Sequence, residues 1–272
     1  MGQCGAEDVV RPLPLAHVAL KLLRQKREKA LRSVHGIMLF LSFGVTSWSS
    51  NALAYRPFDS TDPAVADVGE IEVELSPVSF RHHDSGETWM APQLRLNYGF
   101  AEDWEIVLEG EAEHSRSAQS ALVGNALSVK AVLREGSLQD KTGLSLASEI
   151  GVLLPGVNNE SGVGASWAAI AGQRWSWGTV HVNVAASLSR EKRAEVFVGT
   201  IIEGPHSWEV RPVAELIYAR EFGIKEEFAF LAGAIWQVKD KLSFDVAVRQ
   251  AQANARPETE IRAGLSFAFS VR

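Results

Sequence analysis

The sequence predicts an all-β fold: a single antiparallel transmembrane β-barrel of about twelve strands. Three observations carry this expectation. Apolar and polar residues alternate strictly in segment after segment, which gives each strand one oily and one polar face. Most of these segments run about 9–12 residues, enough to cross a bilayer at a tilt of about 45°, whereas ordinary strands average about 5–6. An export signal stands in front of them.

That signal occupies residues 1–54. The basic stretch KLLRQKREKALRSVHG precedes a short apolar run, Ile37–Val45, and then SWSSNALA. A positive region, a brief apolar region and a small-x-small ending define a secretory signal peptide. Ala52-Leu53-Ala54 places cleavage after Ala54, so residues 55–272 form the barrel. The basic region is long for a leader, which leaves open a true start downstream of Met1. The apolar run is too short to span a membrane as a helix. The one cysteine, Cys4, falls in this leader, so the exported chain must be stable without disulfides. Seven basic and three acidic residues also leave with it, turning the formal net charge from −6 to −10. Such an acidic chain shows no footprint of nucleic-acid binding.

The strands follow in order. In GEIEVELSP, Ile71, Val73 and Leu75 oppose Glu70, Glu72 and Glu74. QLRLNYGF, WEIVLEGEAE, ALSVKAVLR, TVHVNVAASL, LSFDVAVR and EIRAGLSFAF repeat the pattern, and less regular strands fill about 142–154, 163–174, 195–203, 208–218 and 226–236. Short turns (FAED, WSWG, EGPHS, VKDK) largely alternate with longer polar stretches: RHHDSGETWMAP, EHSRSAQSALVG, LPGVNNESG, AREFGIK and RQAQANARPETE. Short turns at one end and long loops at the other are the pattern of bacterial outer-membrane barrels. Trp104, Trp175, Trp177, Trp208 and Trp236 all stand beside the short turns, where a girdle at the membrane interface would lie. A soluble barrel in the periplasm binding an apolar ligand also alternates; strand length, turn asymmetry and tryptophan placement favour the membrane.

In that setting the apolar faces meet lipid and the charged faces meet the lumen. The reverse register would put three glutamates of one strand into lipid, at up to about 2–4 kcal/mol for a charge at mid-bilayer and somewhat less for Glu. The expected inward acids are Glu70, Glu72, Glu74, Glu105, Glu109, Glu111, Glu113, Glu149, Glu209, Glu215, Asp245 and Glu260. The inward bases are Arg95, Lys130, Arg134, Arg174, Arg211, Arg249 and Arg262. Arg95 is expected between the glutamates of the first and third strands, with Lys130 and Arg134 flanking the third from its other side. An excess of acid in a wet lumen selects cations. Pairing of the same charges across a narrow interior would instead close it, and twelve strands lie between the filled and the open cases.

The stretches RPFDSTDPAVADVGEIEVELS, LRLNYGFAEDWEIVLEG, GNALSVKAVLRE and VLLPGVNNESG stand in an order that resembles the outer-membrane β-barrel proteins grouped under the meta-pathway of phenol degradation, over nearly all of Arg56–Phe269. The resemblance implies a channel or transporter for small solutes, hydrophobic or aromatic ones included. It also implies the bilayer, the outer-membrane assembly machinery and a small solute as partners, in the outer membrane of a Gram-negative bacterium. This chain departs from the pattern at Asn125-Ala126 and in the tail Ser270-Val271-Arg272 beyond Phe269.

Catalytic and metal signals are weak, and no enzyme activity, metal or cofactor is expected. His114-Ser115 is the one pair suggestive of a lipid-cleaving barrel, yet adjacent strand residues face opposite sides. His82-His83-Asp84 lacks a spaced partner motif, and Gly162-Val163-Gly164 leads into no helix that could cradle phosphate.

Overall fold

The computed structural model describes residues 56–83, 86–115, 119–158 and 160–271. The expected leader, Cys4 and the cleavage position lie outside these residues. Twelve antiparallel strands close on themselves, each paired with its sequence neighbours and the last with the first. They are β1 (Glu70–His83), β2 (Gly86–Ala101), β3 (Trp104–Ser115), β4 (Ala121–Arg134), β5 (Ser145–Leu153), β6 (Gly164–Trp175), β7 (Gly178–Leu188), β8 (Ala194–Glu203), β9 (Val210–Glu221), β10 (Lys225–Lys239), β11 (Leu242–Ala253) and β12 (Arg256–Ser270). The alternation that forms the strands also sorts their faces. Glu70, Glu72 and Glu74 are buried inside the barrel, whereas outward Leu108, Val184, Leu216, Phe230, Val246 and Ile261 are exposed. A wall that is apolar outside and charged inside is inverted relative to a soluble barrel, and lipid is the surrounding it fits. Val246 stands at the middle of outward-facing β11. Val246→Lys is therefore expected to cost about 2–4 kcal/mol of unfolding free energy in lipid, and Gln250→Lys, near the strand end, at most about 1. Urea titration in vesicles would show the difference.

β1 begins opposite the end of β12, Glu70 against Ser270, so the start of β1 and the end of β12 share one rim with the β2–β3, β4–β5, β6–β7, β8–β9 and β10–β11 connections. In bacterial barrels this is the periplasmic rim. The expected long loops at the other rim are mostly strand. Arg81–His83 and Gly86–Thr88 pair with each other, and β11 runs through Ala253 to a two-residue hairpin. Asn254 and Ala255 both take positive φ there, 49° and 62°, the backbone of a type I′ turn. Those stretches are polar because the strands continue past the lipid into water. The β4–β5 connection, at the short-turn rim, is one of the longest and carries a single 3₁₀ turn, Ser137–Gln139.

Residues 56–69 precede β1 and do not lie outside the barrel. The chain turns in at the periplasmic rim, where Gly69 N–H donates to the Gly99 carbonyl at 2.7 Å, and Arg56 to Ala66 then run within the lumen.

Candidate functional site in the barrel lumen

The N-terminal segment is bound strand by strand around the interior. Ala66 N–H donates to Glu105 of β3 at 2.8 Å. Asp62 pairs with Lys130 of β4 at 3.5 Å. Gln139 donates to the Pro63 carbonyl, while the Thr61 backbone and the Asn183 carboxamide of β7 exchange two hydrogen bonds, 3.1 and 2.7 Å. On β9, Glu215 accepts the N–H groups of Asp59 and Ser60, both at 2.9 Å. Asp59 then receives two arginines, Arg249 of β11 at 2.9 Å and Arg262 of β12 at 2.6 Å. Arg262 also donates to the Pro57 carbonyl at 2.8 Å, and Arg56 lies 3.4 Å from Asp245 of β11. The segment thus crosses the lumen and touches opposite walls.

The wall is shaped to receive it. Inward-facing Gly99, Gly172, Gly199 and Gly264 lie against this segment, and a Cβ at any of them would press on Ala66 and Asp67, Pro63, Ser60 or Arg56 respectively. Side chains there would displace the segment, so the absence of Cβ atoms is part of the seat.

Around this segment the sequence-predicted charges form networks. Arg95 joins Glu74 of β1 at 3.5 Å and Glu109 of β3 at 3.0 Å, as the strand order suggests. It also reaches Glu149 of β5 at 3.3 Å, three strands away. Asn97 donates to Glu74 at 3.1 Å, and Glu149 accepts from Ser128. Lys130 meets Glu105 at 3.3 Å, and Glu70 pairs with Lys241 at the periplasmic rim. Glu72 is buried close to Glu105, Asp62 and Glu74. Glu111 accepts from Gln93 at 2.5 Å. Glu113 lies 3.9 Å from Arg81, which reaches Glu258 at 3.2 Å and Glu260 at 3.3 Å. Glu260 also pairs with Arg262 at 2.8 Å.

Two expected inward charges lie elsewhere. Arg134 is exposed near the end of β4, beyond the β3–β4 pairing that ends at Trp104 and Ala131, so it does not flank β3. Glu209 sits in the β8–β9 connection, exposed, and accepts the Trp236 indole N–H at 3.0 Å. Sequence reading missed Arg81, Glu203, Glu227 and Glu258, which lie near strand ends where the alternation in the sequence is weak, as well as the whole N-terminal contribution. Glu203 receives Arg211 at 3.5 Å and lies 3.3 Å from buried His181. In the adjoining connection, burial and then Arg174 and Arg211 hold the His206 imidazole below its ordinary pKa. It is neutral at neutral pH and accepts from Arg211 at 3.4 Å. Protonation of the unfolded chain weakens that contribution as pH falls below the usual histidine value.

Trp104, Trp175, Trp177, Trp208 and Trp236 are exposed at the periplasmic rim, with Trp175 and Trp177 stacked at 5.3 Å. Trp167 also faces outward at mid-strand, and its indole N–H donates to Ser148 at 3.0 Å, so that N–H is not left bare towards lipid. His114 faces outward as well. Its Nδ1 meets Ser120 at 2.8 Å and its Nε2 the Ala91 carbonyl at 3.2 Å, while Ser115 points to the opposite face. The side chains of His83 and Asp84 lie outside the described residues. Among the described residues no group of three or more His, Cys, Asp or Glu is arranged to hold a metal.

Above the N-terminal segment, towards the outer rim, is a cavity of about 420 Å³. Its floor is Arg56 to Thr61, and its walls include Arg81, Arg95, Glu109, Glu111, Glu227, Arg249, Glu258 and Arg262. The guanidinium groups there all pair with carboxylates. Glu109 keeps 39% of its side chain exposed, and neutral Gln93 is the hydrogen-bond donor to Glu111. The cavity lining balances six basic side chains, Lys225 among them, against six acidic ones, and Glu109 and Glu111 keep acceptor capacity towards it.

No family model matches the chain, and no curated protein matches it. Solved structures do. An outer membrane channel from Pseudomonas putida F1 aligns with a TM-score of 0.53 at 11% identity, over 78% of this chain and 100% of that one. The KdgM porin aligns at 0.51 and 10% identity, over 74% and 99%, and the same porin in complex with disordered oligogalacturonate aligns at 0.50 and 12%, over the same shares. At such identities the likeness is one of fold, and the fold of this chain is that of the outer-membrane β-barrels.

Proposed function

We propose that the protein is a channel of a Gram-negative outer membrane that passes small solutes and favours cations. The observation that carries this reading is a charged cavity enclosed by an apolar outer wall, its guanidinium groups paired and its open acceptors carboxylates. Fixed carboxylates along a narrow passage select by charge. The N-terminal segment, held by Asp59 and Asp62, is the narrowest part of the path and sets a low conductance. The periplasmic tryptophans act as the interfacial anchors, and the outer-membrane assembly machinery is the folding partner. The structural neighbours described as a porin and a channel support a transport role, and the resemblance to the phenol-degradation group adds hydrophobic or aromatic solutes as candidates. Lipid cleavage at His114 has less support. Both ring nitrogens are engaged with Ser120 and a backbone carbonyl, and among the described residues no carboxylate bonds to the ring.

The test is the reversal potential of the protein in a planar bilayer under a salt gradient. A cation-selective potential is expected, and Glu109→Gln with Glu111→Gln should reduce the cation-to-anion permeability ratio several-fold. Anion selectivity, or a ratio untouched by both changes, would overturn the reading.

A further inference from the structure

The lipid-facing side of the barrel is grooved towards its outer rim. Strand register sets outward Tyr218, Phe228 and Gln252 side by side on β9, β10 and β11, with Leu216, Phe230 and Gln250 in the row below. Together with Thr200 of β8 and Pro257 of β12 they border a groove of about 690 Å³. The Tyr218 and Phe228 rings meet at 4.8 Å, three residues before the end of β9. Aromatic side chains at such a level mark a membrane interface, so the groove opens beside the outer leaflet.

Two features suit more than hydrocarbon. Gln250 accepts from Thr259 at 3.0 Å, but among the described residues its amide donates no hydrogen bond and the Gln252 side chain makes none. An outward carboxamide needs an acceptor that acyl tails lack. The second feature is Arg220, exposed on the outer side of Tyr218 on β9. Its cross-strand neighbour is Glu226, yet Glu226 accepts the Tyr218 hydroxyl at 3.0 Å, and Arg220 makes no ion pair among the described residues. The guanidinium is held instead over the Phe222 ring at 5.0 Å, which leaves its N–H donors for an anion.

An apolar groove, amide donors along it and a guanidinium at its outer end complement a lipid with acyl chains, carbonyl oxygens and a phosphate. In the outer leaflet of a Gram-negative outer membrane that lipid is lipid A, whereas phospholipid fills the leaflet at the other rim. We propose that this groove is a docking site for lipid A, with an acyl chain against Leu216, Phe228 and Phe230, acyl carbonyls at Gln250 and Gln252, and a phosphate at Arg220. The inference goes beyond the channel reading and stands whether or not the lumen conducts.

The experiment is native mass spectrometry of the folded, detergent-purified barrel incubated with lipid A, dephosphorylated lipid A or phosphatidylethanolamine. The barrel should retain one lipid A, at least about tenfold more tightly than either comparison lipid. Arg220→Gln should weaken lipid A about tenfold and leave dephosphorylated lipid A unchanged, a difference that a merely structural role would not produce. Thr200→Trp, which fills the groove with apolar mass, should weaken both. Circular dichroism verifies that each variant is folded. Equal retention of the three lipids, retention insensitive to both substitutions, or a dimer of the chain that excludes lipid A would overturn the inference.

Discussion

Replacing Asp59 by Ala is expected to raise the single-channel conductance several-fold and to make the current noisy. Asp59 is the most heavily tied residue of the N-terminal segment. Its carboxylate joins Arg249 and Arg262, and its N–H, with that of Ser60, holds Glu215. Removing one partner of a buried charge pair leaves the other side uncompensated, a loss of about 3–5 kcal/mol. The loss falls on the seating of the segment, because the closed ladder of twelve strands does not depend on Asp59. Deleting residues 56–66 should raise conductance further while leaving the β-sheet signal in circular dichroism unchanged. A deletion that conducts like the wild type would show that this segment does not obstruct the path.

Replacing Lys130 by Met should have the largest effect on stability. Lys130 is buried on β4 and pairs with Glu105 and Asp62. The substitution leaves Glu105 and Asp62 without their ion-pair partner inside the barrel, at a cost of about 3–5 kcal/mol. Glu105→Gln in the same chain should restore part of it, since fewer charges then face one another. Urea unfolding in vesicles, followed by tryptophan fluorescence, measures both. A Lys130→Met barrel as stable as the wild type would mean that water, not Lys130, compensates these carboxylates.

Strand faces were legible because period-two alternation is a local property. The glutamates of GEIEVEL, the aliphatics opposite them and the Arg95 pairing with β1 and β3 all follow from it. Three things were not local. The residues before Glu70 carry no periodicity, so nothing in Arg56–Val68 by itself announces a segment inside the barrel. The wall did hold a signal, in inward positions occupied by Gly99, Gly172, Gly199 and Gly264. Inward charges such as Arg249 and Arg262, which spend bonds on Asp59 as well as on the sheet, gave another. The outer ends of the strands were misread as loops because polarity on both faces, as in Arg249 to Ala253, marks water and not the absence of a strand. Glu209 was placed inward by counting alternation through a turn, where the count no longer holds.

The position of the N-terminal segment is the claim on which the channel account turns, and replacing Cys4 by Ser removes the one native cysteine of the chain. Ser60→Cys with Gly199→Cys tests it most directly, because the Ser60 side chain lies against the place a Cβ on Gly199 would take, within reach of disulfide geometry. Oxidation of the folded barrel should join the two cysteines nearly completely, as mass spectrometry of the digested protein would show. A folded, oxidised protein with both thiols free would place residues 56–66 away from β8 and contradict the account.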